Sequence, residues 1–140
     1  MMIRLAAAAV ATSLGADPAV APPPPAPAPS IYSLERIVPR GEARTIAFYA
    51  SLFPDCTSQG PVVIRLLTPP RHGRVTIETV QSFPQFVATS PLAECNTRKV
   101  PGKRMIYEGE EGYEGADAFR ILVINADGTG YESDVKLSVR

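Results

Sequence analysis

Two cysteines, a single histidine and a run of carboxylates are the residues of this chain whose types could support chemistry. Cys56 and Cys95 show no C-x-x-C spacing, so neither thioredoxin-like redox chemistry nor a thiolate metal site is indicated, and two sulfurs cannot build a four-sulfur zinc site. In an exported chain each is the other's one intrachain partner, and the expected state is a disulfide. Closing so long a loop stabilises by roughly 4 kcal/mol in the chain-entropy account. Both cysteines sit in loop-like stretches, Pro54-Asp55-Cys56-Thr57-Ser58 and Glu94-Cys95-Asn96-Thr97. The bridge is expected to pin the long Ser82–Pro101 excursion to the rest of the fold.

His72 lies in Pro69-Pro70-Arg71-His72-Gly73. A catalytic imidazole needs a nucleophile on one side and an orienting carboxylate on the other, and no spacing here supplies that set. His72 is read as a turn residue beside Pro70 and Gly73. Glu108, Glu110, Glu111, Glu114 and Asp117 form an acidic run, and the one metal reading is a calcium site drawing on Glu110, Glu114 and Asp117. The run lacks the alternating carboxylates of a dedicated calcium loop, so a solvated acidic face is the preferred reading. The basic residues Arg98, Lys99, Lys103 and Arg104 precede it. A hairpin setting the two charge signs opposite one another is the simplest account, worth little because exposed ion pairs are weak. No catalytic residue, metal or cofactor is assigned, and the chain reads as non-enzymatic.

Fourteen Lys+Arg balance fourteen Asp+Glu, and there is no Trp. With no net field to draw polyanions and no interleaved aromatics for base stacking, nucleic-acid binding is not expected. Residues 1–16 read as a signal peptide: Arg4 supplies a positive start, and Leu5–Leu14 an uncharged Ala/Val-rich core far short of the roughly 20 apolar residues of a membrane span. Cleavage is expected around Ser13-Leu14-Gly15 or just after Ala16, because Ala19-Val20-Ala21 runs directly into Pro22. No cysteine lies near that zone, which closes the lipoprotein route. Residues 17–30 form a Pro/Ala-rich linker. Pro22–Pro29 holds six prolines in eight residues, expected as a polyproline II rod of about 25 Å at about 3.1 Å per residue. Such a rod serves as a spacer, a docking strip or simply a stiff tail. The expected location is the periplasm, or the cell surface and medium.

The elements that must position these residues are strands. From Ile31 the apolar period is two. In the last stretch Tyr131, Ser133, Val135, Leu137 and Val139 point one way, and Glu132, Asp134, Lys136, Ser138 and Arg140 the other, as in a half-buried antiparallel sheet. Phe119–Ile124 precedes it, joined by Asn125–Gly130 with its Asp-Gly step. Ile31–Ile37, Arg44–Ser51, Val62–Thr68, Arg74–Val80, Phe83–Thr89 and Arg104–Glu108 complete the expected set. Within it, Ser82–Val87 either displays aromatics for a partner or sends Phe83 or Phe86 into the core. Seven or eight short strands at this spacing predict an all-β, two-sheet antiparallel sandwich over residues 31–140.

Pro70-Arg71-His72-Gly73-Arg74-Val75, then Tyr107, then Gly112-Tyr113-Glu114-Gly115-Ala116-Asp117-Ala118-Phe119 resemble the P-x-H-G-x-V … Tyr … G-[YF]-x-G-x-D-x-F signature of bacterial Ig-like, cadherin-like repeat domains. The resemblance spans Pro69–Arg140 in the right order. This chain departs from it in carrying one copy, a cysteine pair and a long Ser82–Pro101 segment. It implies an Ig-like sandwich and leaves activity open, since such sandwiches host many functions. Physical reasoning on the same residues makes them a structural corner. Gly112 and Gly115 allow a tight turn, Asp117 accepts from backbone N–H groups, Phe119 enters the core, and Tyr113 lies over the corner. The functional expectation is an exported, non-catalytic module, read as a monomer, that binds a protein or surface ligand at the bacterial envelope. The alternative is a periplasmic structural or accessory subunit of an envelope assembly, tethered by its Pro-rich arm.

Overall fold

The period-two alternation becomes burial most cleanly in the last two strands. Asp117, Phe119, Ile121 and Val123 face inward from one, and Ser133, Val135, Leu137 and Val139 from the other, while the intervening residues remain at least partly exposed. The computed structural model describes residues 6–15, 17–26 and 30–140. The Arg4 start of the leader, the Ala16 cleavage option and the Pro27–Pro29 end of the linker lie outside the described residues. Residues 6–15 and 17–26 carry neither helix nor strand and are exposed.

In chain order the strands are β1 (Ile31–Val38), β2 (Ala43–Tyr49), β3 (Ser51–Leu52), β4 (Ser58–Gly60), β5 (Val63–Thr68), β6 (Gly73–Ser82), β7 (Val100–Gly109), β8 (Gly115–Ile124) and β9 (Gly130–Val139), with a 3-10 turn at Ala93–Thr97. The seven long strands form a four-stranded sheet, β1-β9-β8-β5, and a three-stranded sheet, β2-β7-β6. The expected seven to eight strands become nine through the short β3–β4 ribbon. Side chains from both sheets meet between them. Ile46, Met105 and Tyr107 from the smaller sheet pack with Val38, Phe119, Ile121, Val123, Val135, Leu137 and Val139 from the larger, giving an all-β sandwich-like fold with one main core.

All long-strand pairs are antiparallel except β1–β9, which is parallel from Ile31↔Glu132 to Val38↔Val139. The exception follows from the turns. The Arg40-Gly41 corner, with Gly41 at φ 76°, carries β1 across to β2 in the other sheet, and the Asn125–Thr129 turn fixes the direction of β9 by pairing it to β8. Within that second turn Asp127 Oδ1 accepts from the Thr129 N–H at 2.9 Å and the Thr129 hydroxyl at 2.6 Å. The hydroxyl bond, followed by the N–H bond, holds the Asp127 carboxyl below the usual carboxylate range. Gly128 takes φ 88°.

Two expectations are corrected. Phe83–Thr89 is not a strand, because Pro84 offers no N–H to a ladder, and the segment instead ties itself to one side chain. Asn96 Oδ1 accepts from the Phe86 N–H at 2.9 Å while its Nδ2 donates to the Phe86 carbonyl at 2.8 Å, as a strand partner would. Phe86 thereby packs on a small second cluster around Leu52, Cys95 and Val100, whereas Phe83 stays exposed. Nor do the basic and acidic stretches face each other. Lys103, Arg104 and Glu108 all lie in β7, so their partners lie across the ladder in β6: Arg104 with Glu78 at 2.7 Å, Arg74 with Glu108 at 2.8 Å, and Lys103 with the Thr79 hydroxyl at 2.6 Å.

Asn96→Ala should detach the excursion while sparing the sheets. Losing both bonds should cost about 1–2 kcal/mol, with amide exchange rising at Phe86 and its neighbours before any residue of β7 or β8. Unchanged exchange at Phe86 would show that the disulfide alone holds this segment.

Candidate functional site

Strand direction sorts the loops onto two ends. At one end lie the Arg40-Gly41 turn, Pro69–His72, the Glu110–Glu114 corner and the C-terminus. At the other lie the start of β1, the whole Ala50–Val62 connection, the Ser82–Lys99 excursion and the Asn125–Thr129 turn.

The first end is closed by Asp117. This residue is 6% exposed. Its carboxylate accepts from the N–H of Arg71 at 3.0 Å, of His72 at 3.1 Å and of Ala118 at 2.9 Å, and from the Tyr107 hydroxyl at 2.7 Å. The anion therefore ties the Pro70–Gly73 turn to the Gly112–Phe119 corner. Two of its backbone donors come from the turn some 45 residues upstream, a link that linear spacing cannot display. Tyr107 is fully buried; burial, reinforced by the adjacent Asp117 carboxylate, pushes its phenol well above the ordinary range. Gly73 is required by this packing, since a Cβ there would stand 2.6 Å from both the Glu108 carbonyl oxygen and the Tyr107 hydroxyl. Gly115, at φ 131°, takes a backbone conformation that L side chains rarely adopt. The His72 ring stacks on Tyr113, centroids 4.0 Å apart and planes 8° from parallel, and the Tyr113 hydroxyl donates to the Ala116 carbonyl. Phe119 points into the main core.

The calcium candidates do not converge. Asp117 is committed to four donors, Glu114 pairs with Arg40 at 2.8 Å, and Glu110 lends only its backbone, donating its N–H to the His72 carbonyl at 2.8 Å. Among the described residues no three His, Cys, Asp or Glu side chains gather as a metal-ion set.

The second end is open. Cys56 and Cys95 are bridged, with Cα atoms 5.4 Å apart, and join the Phe53–Thr57 loop to the 3-10 turn of the excursion. The Cys56 loop is tightened by Asp55, whose Oδ1 accepts from the Thr57 hydroxyl at 2.6 Å and the Thr57 N–H at 3.1 Å. Those bonds, the hydroxyl first, lower the Asp55 carboxyl below its ordinary range. Between the pinned excursion, β2–β3 and the Asn125–Thr129 turn runs a groove of about 460 Å³. Aromatic rings line it (Phe48, Tyr49, Phe86 and Tyr131), with Gln59, Gln85, Asn125 and Asp127 among them. Burial, then the neighbouring Tyr131, pushes the Tyr49 phenol well up. Tyr131 is in turn met edge-on by Tyr32 of β1 at 5.3 Å. Phe53, Phe83 and Val87 stand exposed at the same end, Phe83 beneath the Lys99 ammonium at 5.8 Å from its centroid. Binding sites commonly combine several rings with a few polar side chains in a cleft of this size.

The motif residues thus assemble at the closed end, while the groove at the open end is built from residues no motif marks. Tyr49 and Tyr131 read in the sequence as ordinary strand residues. One signal for the groove was present: Pro84, which interrupts the aromatic Ser82–Val87 segment as a ladder strand.

No protein-family model matches the chain, and no curated protein matches it. Among solved structures, one described as "Structure of PbICP-C in complex with falcipain-2" is similar over 80% of this chain and 91% of that chain, at 7% sequence identity and a TM-score of 0.36.

Proposed function

We propose that this chain is an exported, non-catalytic Ig-like module that binds a protein or surface ligand at the bacterial envelope through the open end of its sandwich. The observation that carries this reading is the contrast between the ends. One is tied together by a carboxylate that accepts from four donors. The other presents a ring-lined groove held in shape by a disulfide. The disulfide also supports export, since such bonds persist in oxidising compartments, and among the described residues no helix is long and apolar enough to cross a membrane. The non-catalytic part is supported by the commitment of the Asp117 carboxylate, which is bonded on both oxygens to backbone N–H groups of the neighbouring turn. The signature resemblance to cadherin-like repeat domains supports the Ig-like assignment.

The second reading, a structural subunit of an envelope assembly tethered by its Pro-rich arm, is favoured by the attachment of that arm at the same open end. Ser30 is bound there, its carbonyl accepting from the Glu132 N–H at 2.9 Å.

The test is copurification from intact envelope, using the unmodified chain and a chain whose Pro22–Pro29 is replaced by Gly/Ser of equal length. Intact-mass measurement on the recovered protein accompanies it. A partner held by both chains, and lost on groove substitution such as Gln85→Arg, is the expected result. A protein other than this chain that is lost with the arm alone favours the tether. Met1 retained on protein from the envelope removes the signal-peptide reading.

A further inference from the structure

The groove and the Pro-rich arm belong to the same end of the molecule, and their chemistries match. A polyproline II segment has no internal hydrogen bonds: its carbonyls point outward as acceptors, and its pyrrolidine rings offer flat apolar faces. It is recognised by aromatic rings that clasp the prolines, with side-chain donors between them for the carbonyls. The groove holds Tyr49, Phe86 and Tyr131 with Gln59, Gln85 and Asn125 interspersed. Gln59 already accepts from the Ser51 hydroxyl on its Oε1 at 2.8 Å, which leaves its amide to donate. The volume, about 460 Å³, is that of a small-ligand cleft, and four successive prolines would occupy about 12 Å of length.

We infer that the groove receives the Pro22–Pro29 arm of a second copy of this chain, so that two molecules associate open end to open end, each lending its arm to the other. Exchange between copies, rather than folding back, follows from stiffness and from the point of attachment. Ser30 is fixed beside Glu132, one residue from the groove-lining Tyr131. A stiff Pro-rich run attached so near its own groove would have to reverse direction within a few residues to enter it. Pro22–Ala26 lie exposed. An arm of about 25 Å reaches a facing molecule, and mutual insertion gives a closed two-fold pair in which the second contact forms intramolecularly. This inference rests on reading the open end as the binding end, and it holds whatever compartment the chain occupies.

The test uses sedimentation equilibrium on the unmodified chain, on the chain with Pro22–Pro29 replaced by Gly/Ser of equal length, and on Gln85→Arg and Tyr131→Ala variants, each checked for an unchanged far-UV spectrum. The arm replacement lies outside the sandwich and leaves folding intact. The unmodified chain should be a concentration-dependent dimer and the arm-replaced chain a monomer. A synthetic peptide of the arm, Pro-Pro-Pro-Pro-Ala-Pro-Ala-Pro, should bind the arm-replaced chain one to one, at least about tenfold more weakly in the Gln85→Arg background, a loss of about 1.4 kcal/mol. A monomeric unmodified chain, a dimer that survives arm replacement, or a peptide that fails to bind would each overturn the inference. Capture of a different envelope protein by an arm-replaced, monomeric chain that ignores the peptide would overturn it too, while leaving the binding-module reading in place.

Discussion

Asp117→Ala is expected to destabilise the fold by about 3–4 kcal/mol, because four donors lose a charged acceptor at once and the buried Tyr107 hydroxyl keeps only the long 3.5 Å bond to the His72 carbonyl. Tyr107→Phe removes only one of those bonds and should cost about 1 kcal/mol. Asp117→Asn should fall between, since an amide keeps one acceptor oxygen and turns an N–H2 toward the His72 N–H. The double variant should show clear coupling, the energies failing to add because both side chains act on one network. Denaturant melts of the parent and the four variants measure all of this. Additive losses, or an Asp117→Ala midpoint near that of the parent, would mean that the two turns are held together by packing alone.

Breaking the Cys56–Cys95 bridge is the other large effect. A crosslink spanning 39 positions should stabilise by roughly 4 kcal/mol through the unfolded chain. Yet neither cysteine belongs to the main core; both pack with Leu52, Val100 and Phe86 in the smaller cluster. Cys56→Ser/Cys95→Ser protein should therefore keep its sheets while the Ser82–Lys99 excursion becomes protease-sensitive and the groove loses one wall. Cys95 is 1% exposed, so native protein should resist thiol labelling until it is both denatured and reduced. Limited proteolysis that cuts β7 or β8 as early as the excursion would contradict this division of labour.

The strands and their inward faces were legible because a half-buried sheet writes its pleat into the sequence: Ser133-Asp134-Val135-Lys136-Leu137 alternates residue by residue, and the burial follows it. Asp117 was legible as a hydrogen-bond acceptor, through the glycines around it, but not the identity of its donors. These come from a turn in another part of the chain, and nothing local to Asp117 names Arg71 or His72. The Phe83–Thr89 error has the same origin. An aromatic, β-prone stretch looks like a strand until Asn96, ten residues on, is seen supplying the bonds a ladder would have made. The groove was the least legible feature, for its walls come from separate connections whose proximity is set by the disulfide and the sheet ends.

The parallel pairing of β1 with β9 has a mechanical side. The arm enters β1 at the open end, and the chain leaves β9 at the closed end, so a pull between arm and C-terminus draws the two strands in opposite directions along their lengths. All eight registered pairs then bear the load together, in shear, and must give way together. A hairpin pulled from its two tails would instead peel one pair at a time at far lower force. Single-molecule pulling along the N-to-C axis should therefore meet one high rupture event, and the same sandwich pulled across β8 and β9 from the closed end should unzip gently.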